Sequence, residues 1–153
     1  MKVTLDTSVL ITMNHYYPRD VFVSVWRNLE AAIAAGDCCI CDDVLRELKR
    51  GDDHLHDWAR AQSSVPCARS QDEITLVVEI STRFPDWVRE TKNAADPFII
   101  AHAQAAKRDV VTAEKPAGPN TLIRNQKIPT VASQFGVDAH SILEWMRLSS
   151  WTF

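Results

Sequence analysis

Residues 1–11 read MKVTLDTSVLI, a short apolar run broken by an acid and two hydroxyl residues before the apolar pattern restarts. Val3 and Leu5 flank the β-branched Thr4 and predict a brief strand, and Val9, Leu10 and Ile11 resume in a pattern that predicts a helix. Asp6 therefore falls at a strand-to-helix junction, which in open α/β sheets lies on the edge where ligands bind. A plainer role for Asp6 is to cap the helix after it, since Asp is a favoured cap. The choice turns on whether other acids reach the same edge.

Working outward, Asn14 to Pro18 predicts a polar and aromatic loop. Phe22, Val25, Trp26, Leu29 and Ile33 recur at helical spacing and predict a helix over 19–35, ended by Gly36. Asp37 to Cys41, a short apolar run bounded by acids, predicts a second strand. Asp42 and Asp43 are placed to cap a helix with Val44, Leu45 and Leu48 on its apolar side, Glu47 in its early turns and Gly51 closing it. Leu55, Trp58 and Ala59 predict a helix over 53–62. Val65-Pro66-Cys67 predicts an extended linker or edge strand, and Ile74, Val77, Val78 and Ser81 a helix that stops before Pro85. Residues 85–95 carry no clear pattern.

Asp96-Pro97 predicts a helix start, with Asp at the cap and Pro in the first turn. The alanine-rich run from Phe98 to Ala106 suits a helix packed on nearly every side. Val110, Val111 and Thr112 predict a third strand. Residues 115–127 contain two Pro, one Gly and two Asn and predict a long loop of the kind that often carries function. A short helix over 128–135, an edge strand at Val137 and a last helix carrying Ile142, Leu143 and Met146 complete the chain.

The 153 residues suit a single domain over 1–153. An apolar content of 46% with 24% charged residues argues against disorder, and five Trp and five Phe supply bulky core material. No apolar run approaches the roughly 20 residues of a membrane span, and Met1-Lys2 leads straight into a patterned strand. Both observations predict a cytoplasmic protein with neither leader nor membrane partner. Cys38, Cys39 and Cys41 crowd one expected strand, where normal disulfide geometry keeps them from pairing with one another. They and Cys67 read as buried small hydrophobes, because CC-x-C with a distant Cys67 lacks the paired turn spacing of a zinc site. The net charge of −3 excludes a generally basic nucleic-acid coat and leaves room for a local patch.

Strands separated by helices imply βαβ units, right-handed crossovers and a three-layer α/β/α fold around a mostly parallel sheet of about four to five strands. In such a sheet strand ends and helix beginnings share one edge. Asp6 follows the first strand, Glu47 lies early in the helix after the second, Asp96 begins the helix leading to the third, and Glu114 follows that strand. Each has a plainer reading: Asp96 as a cap, Glu47 as a solvated helix residue, Glu114 as a loop residue. Jointly, four carboxylates facing one crevice repel one another unless cations neutralise them. Oxygen-only donors select hard metals, so Mg²⁺ or Mn²⁺ is expected.

LDTSVL at the start, the Glu within DDVLRELKRGDD, the helix ADPFIIAHA and the strand-turn VVTAEKP together resemble a PIN-domain nuclease. The match covers nearly the whole chain in motif order and is nearest to a PIN-like bacterial subfamily formerly of unknown function. The resemblance implies a PIN-like fold and a Mg²⁺- or Mn²⁺-dependent ribonuclease. It also implies a VapC-type toxin, homodimeric and held inactive by an antitoxin protein. Asp6, Glu47 and Asp96 match the three core metal ligands, and Ser8 matches the small polar residue supporting the site. Glu114 departs from the family, which mostly has Asp there, so its contact with metal is either direct or through water.

One or two such cations would orient a water for in-line attack on an RNA phosphodiester and stabilise the leaving oxygen. Ser8 and Thr112 are candidates to orient the ligands. Lys115 is the favoured phosphate contact, with Lys49, Arg50, Arg124 and Lys127 as further candidates. Tyr16 and Tyr17 are candidates to stack on bases, packing against the next helix being their plainer role. His102 is expected to pack in the core, and Trp145 and Trp151 in the core or at a dimer surface. Two rival functions remain. A haloacid-dehalogenase-type phosphatase also starts with a strand ending in Asp, but it needs a second acid where this chain has Ser8. A catalytically degenerate PIN fold would act only by binding a partner protein.

Overall fold

Very short strands build the sheet in the computed structural model, which describes residues 1–153. They are β1 (Val3–Leu5), β2 (Cys38–Cys39), β3 (Asp109–Val111) and β4 (Ala139–His140). The spatial order is β2-β1-β3-β4, and every neighbouring pair is parallel. The helices are α1 (Thr7–Tyr16), α2 (Val23–Ala34), α3 (Asp42–Gly51), α4 (Asp53–Arg60), α5 (Gln71–Arg83), α6 (Asp96–Ala105), α7 (Ile128–Gln134) and α8 (Ile142–Leu148). They flank the sheet in the expected three-layer α/β/α arrangement. Val3, Thr4 and Leu5 are all fully buried, as a central parallel strand covered on both faces must be. Thirty-seven buried apolar side chains join in one continuous core. No helix is long and apolar enough to cross a membrane.

Three helices hand the chain to a strand through the same turn. After α2, the Gly36 N–H donates to Ile33 O at 2.9 Å and the Asp37 N–H to Ala32 O at 2.9 Å, with Gly36 at φ 74°. After α7, Gly136 and Val137 bond to Ser133 O and Ala132 O in the same way. These are Schellman turns, which require one left-handed residue. The turn after α6 puts Lys107 in that place, at φ 52°. A side chain is disfavoured there, so Lys107→Gly is expected to stabilise the protein by about 0.5–1 kcal/mol. A higher urea midpoint at unchanged slope would show it.

Chain direction then sorts the charges. The chain steps from β1 out to β2 and returns across β1 to β3 and β4, so the strand order reverses between β1 and β3. At the amino-terminal edge, the Arg108 guanidinium donates to Gly36 O at 3.0 Å and Asp37 O at 3.3 Å. At the carboxyl edge, Asp6 follows β1 and Thr112 follows β3. The Asp6 N–H donates to Val111 O at 3.0 Å and the Thr112 N–H to His140 O at 3.0 Å.

Several local expectations are corrected. Asn14, His15 and Tyr16 belong to the last turns of α1 rather than to a loop. The second helix starts at Val23, because the Val21 and Phe22 N–H groups first turn back onto Pro18 O. On α5 the buried residues are Glu73 and Ile80, while Ile74 and Val78 are exposed. A partnered carboxylate holds a core position there, which an apolar count does not anticipate. The edge strand lies at Ala139–His140 because Val137 is occupied in the turn after α7. In α8 Ile142 and Met146 are buried as expected, but Trp145 joins them in place of Leu143, which is exposed, and Trp151 packs on Trp145 with ring centroids 4.7 Å apart. Cys39 and Cys67 do not stay separate hydrophobes. They form a disulfide with Cα atoms 6.0 Å apart. Residues 65–67 form no edge strand but run beside the end of β2, with the Cys67 N–H donating to Ile40 O at 3.1 Å.

Candidate functional site

Asp6 occupies the cap position of α1, yet its side chain makes no capping hydrogen bond. Its Oδ2 accepts instead from the hydroxyls of Ser8 and, at 2.7 Å, Thr112. Both hydroxyls are themselves held by backbone: Ala113 N–H donates to Ser8 Oγ and Glu114 N–H to Thr112 Oγ1, each at 3.0 Å. A buried carboxylate is thus aimed by a hydroxyl from its own helix and another from the neighbouring strand end. Burial pushes the Asp6 carboxyl above the usual range, against the lowering effect of the two hydroxyls.

Asp96 is the first residue of α6 rather than its cap, which is Ala95, and Pro97 follows it in the first turn. Its carboxyl is buried and is pushed well above the ordinary range, first by burial and then by the charges of Asp6, Glu114 and Glu47. Asp96 therefore feels the other three acids at the carboxyl edge, and Asp6 feels Glu114. Glu47 lies on α3, where its Oε2 accepts from Thr7 Oγ1 at 2.6 Å and its Oε1 from the Ala95 N–H at 3.1 Å. Glu114 is tied on both oxygens, to Lys127 Nζ and to the Ile128 N–H, each at 2.8 Å. Lys127 is the cation among these acids, and its ammonium is pushed up, chiefly by Glu114 and further by Asp96 and Asp6.

The carboxylates are gathered as charges rather than as a closed cage. The group of side chains whose ligand atoms all lie within 4.8 Å of one another is a different one, Cys39, Cys41 and His102. Among the expected phosphate contacts, Lys115 is exposed and Lys127 is the residue that reaches an acid. Arg50 and Glu47 share a groove of about 310 Å³ with Thr7, Ile11, Gly51 and Thr91. Lys49 lines a separate groove beside Asp42 and Arg46, and Arg124 another beside Pro85 and Asp86. Tyr16 is exposed, and Tyr17 packs edge-on against Phe22. Sequence reasoning did not assign Thr7 a role. The hydroxyl between Asp6 and Ser8 was visible, but only folding brings α3 close enough for it to reach Glu47.

The raised carboxyls have a measurable consequence. An acid whose pKa is raised by folding binds its proton more tightly in the native state, so stability falls as pH climbs from the ordinary carboxylate value, about 4, to the raised one. Asp96→Asn removes that penalty. Its urea midpoint relative to wild type, both metal-free, is expected to grow more favourable from about pH 4 upward and then level off. Any pH-independent effect of the amide cancels in this comparison. A flat difference would contradict the shift.

A parallel α/β sheet with buried carboxylates at its switch point defines the class of this protein, since open sheets of this kind bind ligands at that crevice. The chain belongs to the family described as a domain of unknown function, DUF4411, which matches residues 3–153. No curated protein matches it significantly.

Proposed function

We propose that this protein is a metal-dependent endoribonuclease of the PIN type, hydrolysing RNA phosphodiester bonds at the carboxyl edge of its sheet. The observation that supports this most is Asp96, a buried carboxyl that feels three further carboxylates and, in compensation, the ammonium of Lys127, which is already bound to Glu114. Such a group is tolerable at neutral pH mainly where a cation offsets it. Asp6, Glu47, Asp96 and Glu114 are the residues that would hold Mg²⁺ or Mn²⁺, and their oxygen-only donor set suits a hard ion. When bound, such an ion supplies Lewis acidity at a phosphoryl oxygen and lowers the pKa of a bound water.

The chain's own groups have complementary tasks. Ser8 and Thr112 orient Asp6, and Thr7 and the Ala95 N–H orient Glu47. Lys127 pairs with Glu114 and would be available to a phosphate if a bound cation offset that carboxylate instead. Arg50, in the groove beside Glu47, is the second phosphate contact. Ser8 donates to Asp6, as a supporting hydroxyl does, and it cannot supply the general acid of an aspartyl-phosphate phosphatase. The further reading as the toxin of a toxin-antitoxin pair, acting as a homodimer, rests on the sequence resemblance.

The test is cleavage of pooled RNA by the purified protein. Cleavage should require Mg²⁺ or Mn²⁺, stop with EDTA and leave 5′-phosphate and 3′-hydroxyl ends. Cleavage that survives EDTA, or cyclic 2′,3′-phosphate ends, would rule the reading out. No cleavage together with no Mg²⁺ uptake by calorimetry would favour the partner-binding role. The engaged oxygens of Glu47 and Glu114 are the observation that keeps that alternative in view.

A further inference from the structure

A second set of metal-binding side chains lies in the interior, assembled from four parts of the chain. Cys39 ends β2, Cys41 precedes α3, Cys67 lies in the segment after α4, and His102 sits on α6, nearly two turns beyond Asp96. Cys39 Sγ is 3.0 Å from His102 Nε2, and the ligand atoms of Cys39, Cys41 and His102 all lie within 4.8 Å of one another. Cys67 Sγ meets Cys39 Sγ directly, as the disulfide. Cys39, Cys41 and His102 are 1%, 6% and 5% exposed, so the cluster is shielded from bulk solvent.

The other side of His102 carries the second, independent observation. Its Nδ1 lies 3.0 Å from Oε1 of Glu73, a carboxylate that is only 6% exposed. The Ser70 N–H donates to the same oxygen at 3.0 Å in the capping box of α5, so the backbone holds the carboxylate in place. A carboxylate on one imidazole nitrogen, with thiols facing the other, is how proteins orient a metal-bound histidine. A buried carboxylate and imidazole are costly in a core unless they serve each other or an ion. Three sulfurs and one imidazole form a common donor set of tetrahedral structural zinc sites. Hard Mg²⁺ and Mn²⁺ disfavour such donors, so this cluster and the carboxylate edge would select different ions.

We propose that Cys39, Cys41, Cys67 and His102, in their thiol and neutral imidazole forms, bind one structural Zn²⁺. The ion ties β2 and the 65–67 segment to α6. From the disulfide, the thiol form is reached by two electrons and two protons. A water-soluble phosphine supplies the electrons and becomes the phosphine oxide, taking its oxygen from water. Binding forms three Zn–S bonds and one Zn–N bond, and the three thiol protons pass to solvent. The histidine and cysteines converge only through the fold, which is why the spacing of CC-x-C does not announce a zinc motif.

The full chain, purified throughout in a phosphine reductant and stripped of metal, is titrated with Co²⁺. The expected result is one equivalent bound, with thiolate-to-cobalt charge-transfer absorption and the visible bands of tetrahedral cobalt, displaced by one equivalent of Zn²⁺. Cys41→Ser and His102→Gln should lose the charge-transfer intensity or the stoichiometry. Glu73→Gln keeps a capping-box residue and should weaken Zn²⁺ binding about 10–100-fold. Asp96→Asn should leave zinc binding unchanged, which separates this site from the carboxylate edge. A wild type that binds no Co²⁺ through sulfur overturns the proposal, whether the thiols fail to gather or the disulfide persists. Full zinc uptake by Cys41→Ser overturns it equally. The wild-type titration decides the question even if a variant fails to fold.

Discussion

Asp96→Asn is expected to lower Mg²⁺- or Mn²⁺-dependent RNA cleavage by at least about a thousandfold, because bound metal supplies several kcal/mol of transition-state charge stabilisation. Asp6→Asn should do the same. In each variant the replaced group keeps its shape and loses the charge that would hold a cation. The reason to expect loss without unfolding lies in the metal-free electrostatics. Asp96 is destabilised by burial and by Asp6, Glu114 and Glu47, so removing its charge relieves repulsion. The variants should melt at or above the wild-type temperature without metal, by about 2–4 °C for each kcal/mol relieved. Activity and stability are then expected to move in opposite directions, as they do at sites selected for function. Equal cleavage by wild type and Asp96→Asn would remove the carboxylate edge from the chemistry. Loss of activity with a collapsed melting temperature would reassign Asp96 to a folding role.

Trp87→Ala is expected to have the largest effect on stability, about 3–5 kcal/mol from lost burial and the cavity left behind. Trp87 is 1% exposed, packs against Phe84, and donates from Nε1 to Gln126 O at 2.8 Å. That hydrogen bond fixes the end of the long loop at the residue before Lys127. The loop end in turn places Lys127 Nζ and the Ile128 N–H on Glu114. Trp87→Phe should separate the two roles, keeping most of the packing and losing one hydrogen bond worth about 1 kcal/mol. Denaturant midpoints measure both losses. If Trp87→Phe costs as much as Trp87→Ala, the hydrogen bond rather than the packing carries the stability.

Much of the architecture was legible because it follows from local pattern. Val3 to Leu5, the face of Val25, Trp26, Leu29 and Ile33, and most of the run after Asp96-Pro97 bury the residues that periodicity selects, whereas Phe22, expected on the same face, caps α2 and is exposed. The end of the second helix was legible at Gly36, where a left-handed residue is needed, and the end of the helix after Asp96-Pro97 was legible at Ala106, although the left-handed place that follows it is taken by Lys107 rather than glycine. The face of α5 was misjudged because Glu73 is buried through its pairing with His102, a contact with another helix. Similarly, the isolation of Cys67 from Cys39 was an error of sequence distance, since 28 residues of separation close to Cα atoms 6.0 Å apart.

Local pattern along the chain is enough to separate strands from helices, and in a parallel sheet that arrangement sends Asp6, Glu47, Asp96 and Glu114 towards one edge. Chain direction is enough for that, because every strand in a βαβ unit must end on the same side. Which groups meet there, and how, depends on contacts made only in the folded chain. Ser8 and Thr112 share Asp6, Thr7 reaches Glu47, and Lys127 rather than Lys115 takes Glu114. Likewise, only the fold brings Cys39, Cys41 and Cys67 to His102. The physical reason is range: hydrophobic period and capping act within a few residues, whereas a hydrogen bond or a metal ligand set needs atoms about 3 Å apart that come from distant segments.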